Sequence, residues 1–91
     1  MKNAPTLEML LLLDWLIHEK NLSLAAKQLN IPVSTASRHL HDLRHHFGDL
    51  LFSRCKEGMI PTQTALNIAL KAQPVIEAYQ KLVARHDKLP L

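Results

Sequence analysis

The chain has only two glycines and one cysteine in 91 residues, and aromatic side chains at 4% of positions. With glycine so rare there is no collagen-like repeat, no flexible low-complexity tract and no glycine-rich loop of the kind that cradles phosphate. The single cysteine, Cys55, cannot close an internal disulfide. The fold must therefore stand on packing, and a reducing, cytoplasmic compartment is expected. Long apolar runs are also missing. The most apolar stretch, Leu7 to Ile17, contains Glu8 and Asp14 and falls well short of the ~20 apolar residues a bilayer requires. It also lacks the basic leader and small-residue cleavage site of a secretory signal, so no membrane partner is expected.

What is present is apolar and mildly basic. Hydrophobic residues make up 47% of the chain and charged residues 21%, a balance that folds and is not disordered. A chain of this size bounds one small domain with a modest core, which a partner subunit would help to stabilise. Eleven Lys and Arg against eight Asp and Glu give a net charge of +3, which permits a polyanionic partner without requiring one. The excess is local. Lys20, Lys27, Arg38, Arg44, Arg54 and Lys56 lie between Lys20 and Gly58 against only Asp42, Asp49 and Glu57, together with His39, His41, His45 and His46.

That basic stretch carries two short helical patterns with a break between them. Ser23 is the expected N-cap of the first, and Leu24, Ala25, Ala26 and Leu29 supply its apolar side. Asn30-Ile31-Pro32 ends it, because proline lacks an N–H and biases the preceding residue away from helical geometry. In the second, over residues 33–47, Ala36, Leu40, Leu43 and Phe47 fall on one stripe. At ~100° per residue the opposite stripe is Ser34, Arg38, His41 and His45, flanked by Thr35 and Asp42. Such a pair has the form of a helix-turn-helix, whose second helix enters the major groove of DNA. Small residues at Ser34, Thr35 and Ser37 would let that helix approach bases and phosphates closely. Taken alone, the second helix also fits an ordinary amphipathic surface helix.

The flanking segments complete the pattern. Thr6 caps an expected helix over residues 7–19, which is apolar around so much of its circumference that it calls for a second packing partner. Gly48 suits a left-handed helix end. Residues 51–60 read as a hairpin, with Glu57-Gly58 as its turn and Arg54 and Lys56 at its rim. Thr62 caps a last helix running to about His86, with Pro74 inside it to remove a hydrogen bond and bend it. Its apolar residues Leu66, Leu70, Val75, Ile76, Tyr79, Leu82 and Val83 exceed what a small body covers. Two such helices packed together would bury them as a homodimer seam, the other solution being a helix folded back on its own domain.

No reaction centre emerges. His41 and His45 have i, i+4 spacing, but no third ligand accompanies them, so neither metal nor other cofactor is expected. No nucleophile motif or carboxylate pair suggests catalysis.

The positions Ala25-Ala26, Leu29, Ile31, Ser37-Arg38, Leu40, Leu43-Arg44, Phe47-Gly48-Asp49, Leu51-Phe52, Arg54, Gly58-Met59, Pro61-Thr62 and Ala65 resemble the N-terminal winged helix-turn-helix of LysR-type transcriptional regulators. The resemblance covers nearly the whole chain and is strongest to the branch containing nodulation regulators. It implies a mainly α fold: a three-helix core with a small β-hairpin wing over residues 1–61, then a long C-terminal linker and dimerisation helix over residues 62–91. The function implied is sequence-specific binding of double-stranded DNA by a homodimer at an inverted-repeat operator, regulating transcription. The DNA-contact candidates are Ser23, Lys27, Val33, Ser34, Thr35, Ser37, Arg38, His41, Arg54 and Lys56.

This chain departs from the family pattern at four places. Val33 stands where glutamine is common, Ser34 where proline is frequent, Pro32 where a capping serine is frequent, and Glu57 where a basic residue is frequent. Valine cannot hydrogen-bond a base edge, though it can touch a thymine methyl. It therefore also supports an alternative, a protein–protein adaptor that keeps the fold and has lost base reading. Full-length members carry a C-terminal effector domain after the long helix. This chain stops at Leu91, and a small-molecule inducer is implied only if such a domain exists.

Overall fold

The computed structural model describes residues 4–86. Four helices and a two-stranded hairpin follow one another: α1 (Leu7–Glu19), α2 (Leu22–Leu29), α3 (Val33–Phe47), β1 (Phe52–Cys55), β2 (Gly58–Pro61) and α4 (Gln63–His86). The fold is the expected mainly helical winged helix-turn-helix with a long last helix.

Local chemistry sets each boundary. Thr6 Oγ1 accepts from the Met9 N–H at 3.2 Å and opens α1, and Lys20 closes it in the left-handed conformation (φ 59°). Asn21, not Ser23, caps α2: its Oδ1 accepts from the Leu24 N–H at 2.9 Å, and Ser23 is the second residue of the helix, on its exposed side. Asparagine caps as well as serine, and its earlier position starts the helix at Leu22. Asn30 ends α2 with φ 58°, a conformation asparagine tolerates. Pro32 occupies the N-cap of α3 and makes no side-chain cap bond, while Gly48 ends α3 with φ 60°. Thr62 caps α4, accepting from the Ala65 N–H at 3.1 Å.

One core joins these elements. Leu12, Leu13 and Leu16 of α1, Ala25 and Ala26 of α2, and Ala36, Leu40 and Leu43 of α3 meet Leu51, Phe52, Met59 and Ala65. Alanines at the α2–α3 contact let the two helices approach closely. Leu24, expected on the apolar side of α2, is instead exposed. The second partner of α1 is α4, which packs along it within the same chain.

The connection from α3 into the wing is held by two charged side chains. Arg44 donates from Nε to the Leu50 carbonyl at 2.7 Å and from Nη2 to the Phe52 carbonyl at 3.1 Å. Asp49 Oδ1 accepts from the Leu51 N–H at 2.7 Å and from the Thr62 hydroxyl at 2.9 Å. Leu51 has φ 65°, so it lies in a turn before β1 and does not begin the strand, as the hydrophobic run Leu50-Leu51-Phe52 suggested. The hairpin turn is Lys56-Glu57, and Gly58 is already the first residue of β2, paired with Cys55.

The wing is fastened near its turn to the α1–α2 junction, with the Met59 N–H donating to the Lys20 carbonyl at 2.8 Å. Glycine at 58 allows this approach: φ is 111°, and a Cβ there would lie 2.5 Å from the same carbonyl oxygen.

The helix α4 divides the expected dimer seam in three. Ile76 is 1% exposed within a single chain, covered alongside Ala72, and is no part of an open surface. At ~100° per residue Leu66 and Leu70 lie roughly opposite Val75, Tyr79 and Leu82 around the helix. Only Val75, Tyr79, Leu82 and Val83 continue the inner stripe of Ala65, Ile68, Ala69 and Ala72 past the body, and all four are exposed. A three- and four-residue period identifies apolar positions without showing where the covering body ends.

Candidate nucleic-acid interface

On α3 the residues turned away from the core form one wet face. Ser34, Ser37, Arg38, His41 and His45 are exposed and Thr35 is half-buried. Among the described residues, no hydrogen bond or ion pair engages the side chains of Arg38, His41, His45, Arg54 or Lys56, so these groups remain open to an incoming partner. The other basic side chain of α3, Arg44, has the structural task described above.

The histidines divide in the same way. His39 bridges α3 to α1, its Nε2 lying 2.7 Å from a Glu8 carboxylate oxygen, and the His46 ring packs edge-on against Phe47 at 4.8 Å between centroids. Among the described residues no three metal-ligating side chains come together.

Two shallow depressions adjoin each other at Ser23, and one of them reaches the start of α3. One, at the helix-turn-helix corner, is lined by Ser23, Ala26, Lys27, Asn30, Ile31, Pro32 and Val33. The other, between the wing and the start of α2, is lined by Lys20, Asn21, Leu22, Ser23, Arg54, Gly58 and Met59. Ser23 borders both. The structure thus brings Ser23, Lys27, Val33 and Arg54 onto one continuous margin, with Lys20, Asn21 and Asn30 as polar neighbours that are not among the expected DNA contacts. Lys20 was legible only as one member of the local basic excess. Its place beside Arg54 comes from the wing docking on the Lys20 carbonyl, a contact that spans 39 residues of sequence.

The α3 N-terminus is bare. Pro32 offers no side-chain acceptor, so the first-turn N–H groups that a capping serine would occupy stay available to an anion, at the positive end of the helix dipole.

Residues 7–66 match the model of the bacterial regulatory helix-turn-helix proteins of the lysR family. The chain belongs to the LysR family. It is 41% identical over 73 residues to the HTH-type transcriptional regulator LinR of Sphingobium indicum, covering 80% of this chain and 24% of LinR. To nodulation protein D 1 of Rhizobium meliloti it is 34% identical over 83 residues, covering 91% of this chain and 27% of that protein. The crystal structure of a probable transcriptional regulator from Pseudomonas aeruginosa superimposes with a TM-score of 0.81 at 31% identity, covering 94% of this chain and 28% of the other.

This LysR-family chain therefore spans about a quarter of the length of the curated relatives it matches. The family model describes regulatory helix-turn-helix proteins and LinR is named a transcriptional regulator, which sets the family apart from enzymes. Among the described residues no helix is long and apolar enough to cross a membrane.

Proposed function

We infer that this chain binds double-stranded DNA in a sequence-specific manner as a cytoplasmic homodimer and so controls transcription. The observation that carries this reading is the α3 face, where Ser34, Ser37, Arg38 and His41 are exposed with no partner among the described residues at a helix end left uncapped by Pro32. In a groove-bound pose the first turn of α3 meets base edges and phosphates, Arg38 bonds a guanine, and Ser23 and Lys27 of α2 lie along the backbone. Arg54 and Lys56 on the wing contact phosphate flanking the groove. Pairing through the far half of α4 presents two such surfaces, so the target is an inverted repeat. The domain boundary falls between Pro61 and Thr62, although the first turns of α4 remain bound to the core through Ala65.

Selection of binding sites from random duplexes by the whole 91-residue chain tests this reading. Enrichment of an inverted repeat with half-sites separated by about a helical turn or more is the expected result. Retention that shows no sequence preference would overturn it in favour of an adaptor that has lost base reading.

A further inference from the structure

The four histidines of α3 fall into two pairs with different tasks. His39 is braced against Glu8 of α1 and His46 lies edge-on to Phe47, whereas His41 and His45 are exposed and make no hydrogen bond or ion pair among the described residues. They are one helical turn apart, on the stripe that carries Arg38 and beyond the first turn of the helix. Asp42 shares the exposed side and is equally unpaired among the described residues. The formal charges of Arg38 and Asp42 cancel. This side of α3 is therefore close to neutral while the two imidazoles are neutral, and it carries two net positive charges once both hold a proton. Arg44, the other arginine of the helix, is turned to the Leu50 and Phe52 carbonyls and adds nothing to that balance.

We propose that His41 and His45 form a proton-gated phosphate site: they take up protons as α3 meets the DNA backbone, so affinity rises as pH falls from about 8 to about 6, the range in which an imidazole changes charge. The inference rests on the DNA-binding reading of α3 and concerns its later turns, not its tip. An imidazole that gains a phosphate partner holds its proton more tightly in the complex than in the free protein. The added affinity is thus complete at low pH and is lost as pH rises through the value in the complex. On the helix itself, the charged or titratable groups beside the pair are Arg38, Asp42 and His46. From the elements packed on α3, Glu8 of α1 reaches His39, the depression containing His45 receives only Ala4 and Met9, and Lys27 of α2 stays at the corner beside Val33. Arg54 of the wing borders α2 instead. Asp42 is the one neighbour that repels phosphate, and a proton on either adjoining imidazole offsets it. The Asp49 carboxyl, held below its ordinary value by the Leu51 N–H, stays ionised throughout this window, so the fold and the affinity respond to pH in separate ranges.

The experiment titrates the whole 91-residue chain against the duplex enriched by selection at pH 6, 7 and 8, each at several salt concentrations. From pH 6 to pH 8 the dissociation constant is expected to rise about tenfold or more, the order of one lost charge-assisted hydrogen bond. The slope of log K against log salt should be steeper at pH 6 by about one unit for each histidine in contact. His41→Gln and His45→Gln should each remove part of both effects, and the double variant should abolish them. His41→Arg carries a charge that does not titrate, and should bind at pH 8 more tightly than the parent chain. Both histidines are exposed, so unchanged melting temperatures show that these variants are folded. His39→Gln removes the brace to Glu8 and should keep the pH response. The proposal is overturned if affinity and salt slope are the same at pH 6 and pH 8, if the response survives in the double variant, or if His39→Gln abolishes it. A chain that binds no duplex at any pH removes the DNA-binding assignment itself, and this proposal with it.

Discussion

Two side chains of opposite charge, Arg38 and Asp49, show how differently a charged residue is used in this domain. Arg38 has no partner among the described residues and lies on the exposed face of α3, so its guanidinium is free to bond guanine O6 and N7 together. Arg38→Ala is expected to weaken binding to the selected site by ~1–3 kcal/mol and to relax preference at one base position, with unchanged circular dichroism; equilibrium titration against the site and its single-base variants checks this. Asp49 faces inward to its own loop. Its carboxyl is held below the ordinary value of 3.8, first by the Leu51 N–H and then by the Thr62 hydroxyl. A depressed folded-state value means that the ionised form stabilises the fold above the unfolded value, and that this contribution is lost as pH falls below about 4. Thermal melts from pH 6 to pH 3 should therefore show a declining midpoint, and Asp49→Asn should start lower and decline less. The Phe-Gly-Asp sequence was legible as a helix end, because glycine announces the left-handed cap. The loop-holding roles of Asp49 and Arg44 were not, since both act on backbone groups whose positions depend on the turn they themselves stabilise.

Among the elements, α1 and α3 were readable to their ends, because a capping threonine, a proline break and a terminal glycine bracket strong helical periodicity. The wing was readable as a hairpin but not in register. Leu50-Leu51-Phe52 looks like a strand start, whereas the turn at Leu51 and the tie from Thr62 N–H to the Leu51 carbonyl at 2.8 Å delay the strand to Phe52. Register decides what the wing presents. Ser53 and Arg54 of β1 and Lys56 in the turn are exposed, while Phe52 and Met59 fasten the two strands to the core. Arg54 and Lys56 on such an outward element should act through phosphate. Alanine at either is expected to weaken binding to all duplexes alike and to reduce the slope of log K against log salt by about one unit, with the preferred sequence unchanged. Titrations at four or five salt concentrations, on specific and random duplexes, measure both quantities. A changed sequence preference at constant slope would move these residues into direct base reading.

For the whole molecule, the last helix matters most. Along its first half it is part of the body, and beyond Ile76 the apolar residues Tyr79, Leu82 and Val83 are half-exposed, each forgoing part of the roughly 1.5–3 kcal/mol that full burial contributes. Leu82→Asp should therefore leave the winged helix-turn-helix body folded, abolish dimers in sedimentation equilibrium at tens of micromolar, and weaken binding to an inverted repeat much more than to a half-site. Ile76→Asp is expected to behave differently, lowering the melting temperature as well, because that side chain is buried within its own chain. A parent protein that is monomeric at those concentrations would assign the far end of α4 another purpose. Pro74 marks the division between the two halves: it has no N–H to offer the Leu70 carbonyl, and the helix continues past it for only three more turns. A helical segment that short is marginal in water unless something packs on it. If the outer half of α4 pairs as proposed, its helicity becomes a function of protein concentration: dilution would unwind the segment as it separates the subunits, so that coil-to-helix ordering and assembly would form a single equilibrium with its cost included in the association constant.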